Sequence, residues 1–254
     1  MSVRPKRELG QHFLADPNIL GVIARLARLE RDDVVLEIGP GLGALTEFLA
    51  DRVGHVHAVE LDRSLEPHLR NRLDDRANVE LLLGDALTLP LRELDPPPGK
   101  LVANLPYNVA TPLVVESLDG LPTIDLWCVM VQREVADRFF AARATKSYGA
   151  VSVLVQLTAE RTGRHPVSRT VFHPPPNVDS ALVAFRRSRR WGEEYAWLKR
   201  VVQAAFAHRR KTLGNSLALA GIDAGALLAT GIDPAVRAET LPPADFIRLA
   251  EALR

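Results

Sequence analysis

Five short apolar runs, set apart by stretches with helical spacing, restrict this 254-residue chain to an α/β architecture. They are Val34-Val35-Leu36-Glu37-Ile38, His55-Val56-His57-Ala58-Val59-Glu60, Val79-Glu80-Leu81-Leu82-Leu83, Lys100-Leu101-Val102-Ala103 and Leu126 to Val131. Each is short for a helix, and their β-branched residues favour extended backbone. Leu45 to Arg52 and Gln132 to Ala142 read as helices. Strands alternating with helices build βαβ units, whose sheet is mainly parallel and covered on both faces. Ser152 to Leu157 and Ala181 to Phe185 read as two late strands flanking the loop Phe172-His173-Pro174-Pro175-Pro176. The expected fold class is therefore α/β, a mostly parallel sheet of seven strands with helices on both faces.

Beyond Arg190 only helical patterns remain. Tyr195 to Leu213 sets Leu198, Val201, Val202, Ala205 and Phe206 at helical spacing, and Ala224 to Thr230 and Pro243 to Leu253 follow. The expected division is an α/β domain over 1–188 and a small all-helical, basic subdomain over 189–254. The formal net charge of +1 hides an asymmetry. From Arg186 to Lys211 nine basic residues stand against Glu193 and Glu194 alone, and Arg4, Lys6 and Arg7 add to the opening segment. Clustered cation of this kind points to a polyanion partner; an ordinary solvated helix face is the plainer reading.

Other features exclude classes. No stretch approaches the roughly 18 consecutive apolar residues of a membrane span, and no apolar region follows the basic N-terminus as a secretory signal requires. A cytoplasmic protein with no membrane partner is expected. The single cysteine, Cys128, permits no internal disulfide and reads as a buried strand residue. Seven histidines show no metal-ligand spacing, so no metal is expected.

The segment Glu37-Ile38-Gly39-Pro40-Gly41-Leu42-Gly43 falls where the first of these strands should turn into a helix. Gly39 and Gly41 there allow positive φ and close approach of a ligand to backbone, at the edge where open parallel sheets bind ligands. The pattern departs from the GxGxxG pyrophosphate cradle of nicotinamide enzymes. Glu60, 21 residues beyond Gly39, ends the second strand, where a carboxylate can accept from both ribose hydroxyls. Asp85 ends the third strand, placed for an adenine amino group, with Leu61 and Ala86 as apolar neighbours. Singly, Glu60 and Asp85 could be structural caps; in order on successive strand ends they suit a nucleoside that carries an amino acid.

Asn104-Leu105-Pro106-Tyr107 ends the fourth strand. The N6 amine of adenine is a poor nucleophile because its lone pair is delocalised into the ring. Two acceptors, the Asn104 side-chain carbonyl and the Leu105 backbone carbonyl, can draw both N–H groups and make the nitrogen more pyramidal. Pro106 fixes the turn and biases Leu105 away from helix, and Tyr107 offers a face for stacking. Phe172 is the candidate for the opposite face, with a core aromatic as the alternative.

Together these blocks, with Leu9-Gly10-Gln11-His12-Phe13-Leu14, Phe172 to Ser180, Arg209-Arg210-Lys211-Thr212-Leu213 and Gly231-Ile232-Asp233-Pro234, closely resemble the small-subunit ribosomal RNA adenine dimethyltransferases of the KsgA type over nearly the whole chain. The resemblance implies a Rossmann-like methyltransferase sheet and S-adenosylmethionine as cofactor. It implies dimethylation of two adjacent adenines near the 3′ end of the small-subunit RNA, on an assembling 30S subunit, by a monomer. It also implies that Gln11, His12 and Leu14 reach over the cofactor and that Arg209, Arg210 and Lys211 contact RNA. Two departures stand out: His12 where the family commonly has asparagine, and Gly214 where it usually has arginine. An erythromycin-resistance-type methyltransferase acting on large-subunit RNA, or an assembly factor without turnover, are the alternatives.

Overall fold

The computed structural model describes residue 6, residues 11–14, 16–223 and 225–254. Arg4, Arg7, Leu9, Gly10 and Ala224 of the sequence reading lie outside the described residues. Along the chain run β1 (Phe13–Leu14), α1 (Pro17–Ala27), β2 (Val34–Ile38), α2 (Ala44–Ala50), β3 (His55–Glu60), α3 (Glu66–Leu73), β4 (Val79–Leu83), β5 (Lys100–Asn104) and α4 (Ala110–Gly120). Then follow β6 (Leu126–Gln132), α5 (Arg133–Phe139), α6 (Ala150–Thr158), β7 (Ala159–Val167), β8 (Phe172–His173), β9 (Ser180–Arg187), α7 (Glu194–Phe206), α8 (Leu213–Leu219) and α9 (Pro243–Ala252). The chain forms two compact units, residues 1–136 with 161–187, and residues 137–160 with 188–254. The second unit therefore takes in 137–160 as well as the C-terminal helices, a different division from the expected boundary near residue 188.

In the first unit the seven strands follow the order β4-β3-β2-β5-β6-β9-β7. The pairs from β4 through β6 are parallel and β9 runs antiparallel to β6. Chain order reverses beside β2, which pairs with β3 on one flank and β5 on the other, making this the switch point where such sheets bind ligands. Alternation along β6 shows why both faces are covered. Cys128 and Met130 share a core cluster with Ile19 and Ile23 of α1. Trp127 points the other way, donates from Nε1 to Ser117 Oγ on α4 at 2.8 Å, and stacks on Phe185 with centroids 5.2 Å apart. Burying a side chain of this size is worth about 2–3 kcal/mol. Burial also pushes the Cys128 thiol up to about 12, which makes it an inert packing residue.

One cation of the basic run belongs to this core. Arg187 is buried, and its guanidinium donates to the carbonyls of Ile124, Leu118 and Leu121 at 2.7, 2.7 and 3.1 Å, just where α4 ends. It satisfies carbonyls that the helix terminus and its following turn leave over.

Three expectations are corrected. Ser152 to Leu157 is the body of helix α6, not a strand: Val153, Leu154 and Val155 are all buried, and an apolar run covered all round does not reveal its period. The strand is the next segment, β7, whose mostly exposed and polar residues, ending in Pro166-Val167, give a sequence no apolar run to detect. The long helix expected over 195–213 ends at Phe206; Thr212 then caps a new helix by accepting from the Asn215 N–H. Residues 225–230 form a 3-10 turn.

Within the second unit the apolar stripe of α7 is buried with Phe246 and Leu249 of α9. Phe206 lies 5.6 Å from Phe246 and 5.8 Å from Tyr148, whose hydroxyl donates to the Leu241 carbonyl at 2.8 Å.

Candidate active site

A cleft opens at the carboxyl ends of β2, β3, β4 and β5. Its walls include Gln11, His12, Leu14, Gly39, Gly41, Glu60, Leu61, Asp85, Ala86, Asn104, Leu105, Pro106 and Tyr107. Sequence-predicted cofactor and target-base residues thus meet in one cavity, and Phe172 does not join them.

The glycine turn is shaped by its neighbours. Gly39 and Gly41 have φ of 76° and 59°. A Cβ on Gly41 would meet the Phe13 ring at 2.9 and 3.0 Å, and one on Gly39 would meet Pro106 at 3.3 Å. Both positions require glycine for conformation and for room. Backbone N–H groups of Gly41 and Asp62 donate to the two Glu60 oxygens at 3.0 and 2.8 Å. These bonds hold the carboxylate rigid while its remaining lone pairs stay available. Burial raises the Glu60 carboxyl, against the lowering of those donors. Glu37, fully buried beneath the turn, is pushed up to about 8 by burial, against the Thr46 hydroxyl, with Glu60 adding to the rise. Glu37 is therefore largely neutral at pH 7. Asp85, at the end of the cleft beyond β4, uses one oxygen to cap the following turn through the Leu87 N–H at 2.9 Å. Leu61 is 53% exposed on the cleft wall, a large apolar surface open to a ligand.

Residues 11–14 form a strap along this cavity, held by two anchors. β1 pairs antiparallel with β8, Leu14 opposite Phe172. Asp62 accepts from Lys6 Nζ at 2.7 Å and Gln11 Nε2 at 2.9 Å, and from the Ser64 N–H at 3.0 Å. Although burial works to raise it, hydrogen bonds from Lys6, Ser64 and Gln11 hold the Asp62 carboxyl well below the usual range. Neither Lys6 nor Asp62 was singled out as a site residue from sequence; the signal present was only that Asp62 follows Glu60-Leu61.

Asn104 sits where β5 ends, and its Nδ2 donates to the His12 carbonyl at 3.0 Å. That bond uses one of the two amide hydrogens and fixes the orientation of the amide, with Oδ1 as the end that can accept from a ligand. The Leu105 N–H is tied to the Met130 carbonyl at 3.0 Å, which fixes the Asn104–Leu105 peptide immediately before the Leu105 carbonyl. Tyr107 is half-buried; its hydroxyl lies 2.5 Å from Ser180 Oγ at the start of β9. Burial raises the Tyr107 phenol, with Ser180 lowering it and Asp179 raising it, so it stays neutral. The aromatic near Tyr107 is His12, centroids 5.4 Å apart and planes 34° apart. The His12 Nδ1 lies 2.8 Å from the Pro174 carbonyl, an acceptor only, so Nδ1 carries the proton of that bond. Phe172 is 3% exposed and packs in the core cluster with Ile19, Met130 and Leu182. The expected stacking role of Phe172 is corrected accordingly: Phe172 props the strap from beneath.

Of the expected RNA contacts, Arg210 and Lys211 are exposed. Arg209 is half committed within its own unit, donating to the Lys146 carbonyl at 2.9 Å and to Glu239 at 3.2 Å. Gly214 has little room for a larger residue, since a Cβ there would meet Pro234 Cβ at 3.2 Å. None of the described helices is long and apolar enough to cross a membrane.

Comparisons with known proteins agree in direction. Residues 3–254 match the family model described as ribosomal RNA adenine dimethylase. A relative from Rubrobacter xylanophilus, described as ribosomal RNA small subunit methyltransferase A, is 48% identical over 248 residues, covering 97% of this chain and 94% of that protein. A solved dimethyladenosine transferase from Plasmodium falciparum matches with TM-score 0.74 at 24% identity, over 94% of this chain and 96% of that one, and so shares the Rossmann-like methyltransferase fold. The solved 23S rRNA methyltransferase ErmE matches with TM-score 0.67 at 29% identity, over 95% of this chain and 99% of that one.

Proposed function

Because this chain belongs to the ribosomal RNA adenine dimethylase family, we propose that it transfers methyl groups from S-adenosylmethionine to N6 of two adjacent adenines near the 3′ end of small-subunit ribosomal RNA. We place that activity in the cytoplasm, on an assembling 30S subunit, with the enzyme acting as a monomer. The carrying observation is the oriented Asn104 amide, whose Nδ2 donates to the His12 carbonyl in a cleft that also holds Glu60 and Asp85.

The residues present fit the cofactor. The Gly39-Pro40-Gly41 turn lines the cleft, Glu60 offers a fixed carboxylate for ribose hydroxyls, and Asp85 with Ala86 and Leu61 suits an adenine. Gln11, His12 and Leu14 cover it from the strap. When bound, S-adenosylmethionine supplies a methyl group activated by a sulfonium centre. The chain's own work is positioning and desolvation. Asn104 Oδ1 and the Leu105 carbonyl accept the two N–H groups of an adenine drawn out of its stack, and Tyr107 gives the base a flat face. The amine needs no prior deprotonation, because its proton is acidic once the nitrogen is cationic and then passes to water. Arg210 and Lys211, with Arg209 in part, supply cations for the RNA backbone.

Labelled methyl transfer to immature small subunits and, in parallel, to large-subunit RNA, mapped by primer extension, tests this reading. Wild type should label the adjacent adenines near the 3′ end, and Asn104→Ala should lower the rate about 100-fold or more, as loss of a positioned polar group does. Label in large-subunit RNA instead would favour the ErmE-like alternative. Equal inactivity of wild type and variant, with RNA binding intact, would leave only an assembly factor.

A further inference from the structure

At the amino end of β3 two histidines meet a glutamate of the neighbouring edge strand. His55 and His57 are two residues apart and so stand on one face, and the parallel register sets His57 beside Glu80. The imidazole centroids are 4.4 Å apart, inclined at 63°. One donor atom from each of the three residues lies within 4.8 Å of the others. The cluster is removed from the cleft, since Glu60 lies three residues further along β3, about 10 Å at strand rise.

Hydrogen-bond chemistry at this spot calls for a cation. His57 Nε2 is 2.8 Å from the Pro96 carbonyl oxygen, which only accepts, so Nε2 carries a proton. A neutral imidazole then turns the Nδ1 lone pair toward Glu80 Oε2, 2.6 Å away, and a carboxylate also only accepts. Two facing acceptors need a positive species between them, a second proton or a metal ion. The surroundings favour the metal. His55 brings a second imidazole, and its Nε2 is buried with no hydrogen-bond partner. Anchoring the far N–H of a histidine on a backbone carbonyl is how metal-bound imidazoles are held. Two imidazoles and a carboxylate form a zinc-type donor set. Glu80 is exposed and free to draw back by the fraction of an ångström that an interposed ion demands.

We infer that His55, His57 and Glu80 form a binding site for a divalent cation of the zinc class, separate from the methyl-transfer cleft, which ties edge strand β4 to β3. The sequence conceals it because His57 and Glu80 are joined by register across two strands, not by motif spacing.

Tag-free protein stripped with chelator, then titrated with Zn²⁺ or Co²⁺, gives the test. One equivalent should bind, Tm should rise by about 5 °C with Zn²⁺ at roughly 100 times its Kd, and Co²⁺ should show the visible spectrum of nitrogen and oxygen ligation. His57 is wholly buried, so the informative variants are Glu80→Gln and His55→Gln. Each should lose the Tm rise and the cobalt spectrum while methyl transfer is unchanged. Metal binding that survives in both variants overturns the proposal. So does a wild type that gains no stability from Zn²⁺, in which case a proton alone bridges His57 and Glu80.

Discussion

Single residues of the cleft show how burial sets charge. Glu37 carries the largest consequence, because its carboxyl is raised from 4.5 to about 8 by burial above all, with Glu60 as a smaller contributor. The folded state binds a proton that the unfolded state releases, so stability falls as pH rises between those two values. The loss should be on the order of 3–5 kcal/mol across that window, at about 1.4 kcal/mol per unit. Glu37→Gln keeps the shape and removes the ionisation. Its Tm, compared with wild type, should therefore gain steadily from pH 5 to pH 8. Parallel Tm curves for the two proteins would show that Glu37 is charged in the fold and the account wrong. Asn104, Tyr107, Glu60, Asp85 and the two glycines were legible in sequence because each sits at the end of a readable strand. Their partners were not. Ser180 holds Tyr107 from 73 residues away and Asp62 holds Gln11 across 51, and no local pattern encodes such pairings.

Elements differ in legibility for physical reasons. β2, β3, β5 and β6 are central strands buried on both faces, so their sequences are apolar runs; β4, at the sheet edge and only partly buried, is legible by its apolar Val79, Leu81, Leu82 and Leu83, and the limits of all five agree to within a residue. β1 and β8 are two residues each and exist only through their mutual pairing, which nothing local announces. α6 and β7 were confused because burial made the helix look like a strand and edge exposure made the strand look like a loop. The basic run from 186 to 211 was likewise read as one electrostatic surface, although Arg187 closes the end of α4 from inside the core. Arg187→Met should leave the Leu118, Leu121 and Ile124 carbonyls without this donor. The expected cost is about 3 kcal/mol, seen as a Tm drop of about 8 °C. RNA affinity of the folded protein should be unchanged. A drop in affinity with no change in Tm would return Arg187 to the RNA surface.

At the scale of the whole molecule a net charge of +1 would give little attraction for a polyanion if it were spread evenly. Its distribution matters more. Once Arg187 is assigned to the core and Arg209 half to Glu239 and the Lys146 carbonyl, Arg210 and Lys211 stand as exposed cations of the Arg-Arg-Lys motif. Each phosphate neutralised by such a cation releases counterions, so affinity must fall with salt in proportion to the number of contacts. Replacing Arg210 and Lys211 by alanine should lower the slope of log K against log salt by about one per residue lost. Binding of S-adenosylmethionine, measured by calorimetry, should not change, because neither residue lines the cleft. If the slope is the same in both variants, the RNA backbone is held elsewhere, and the basic character of the second unit serves only its solubility.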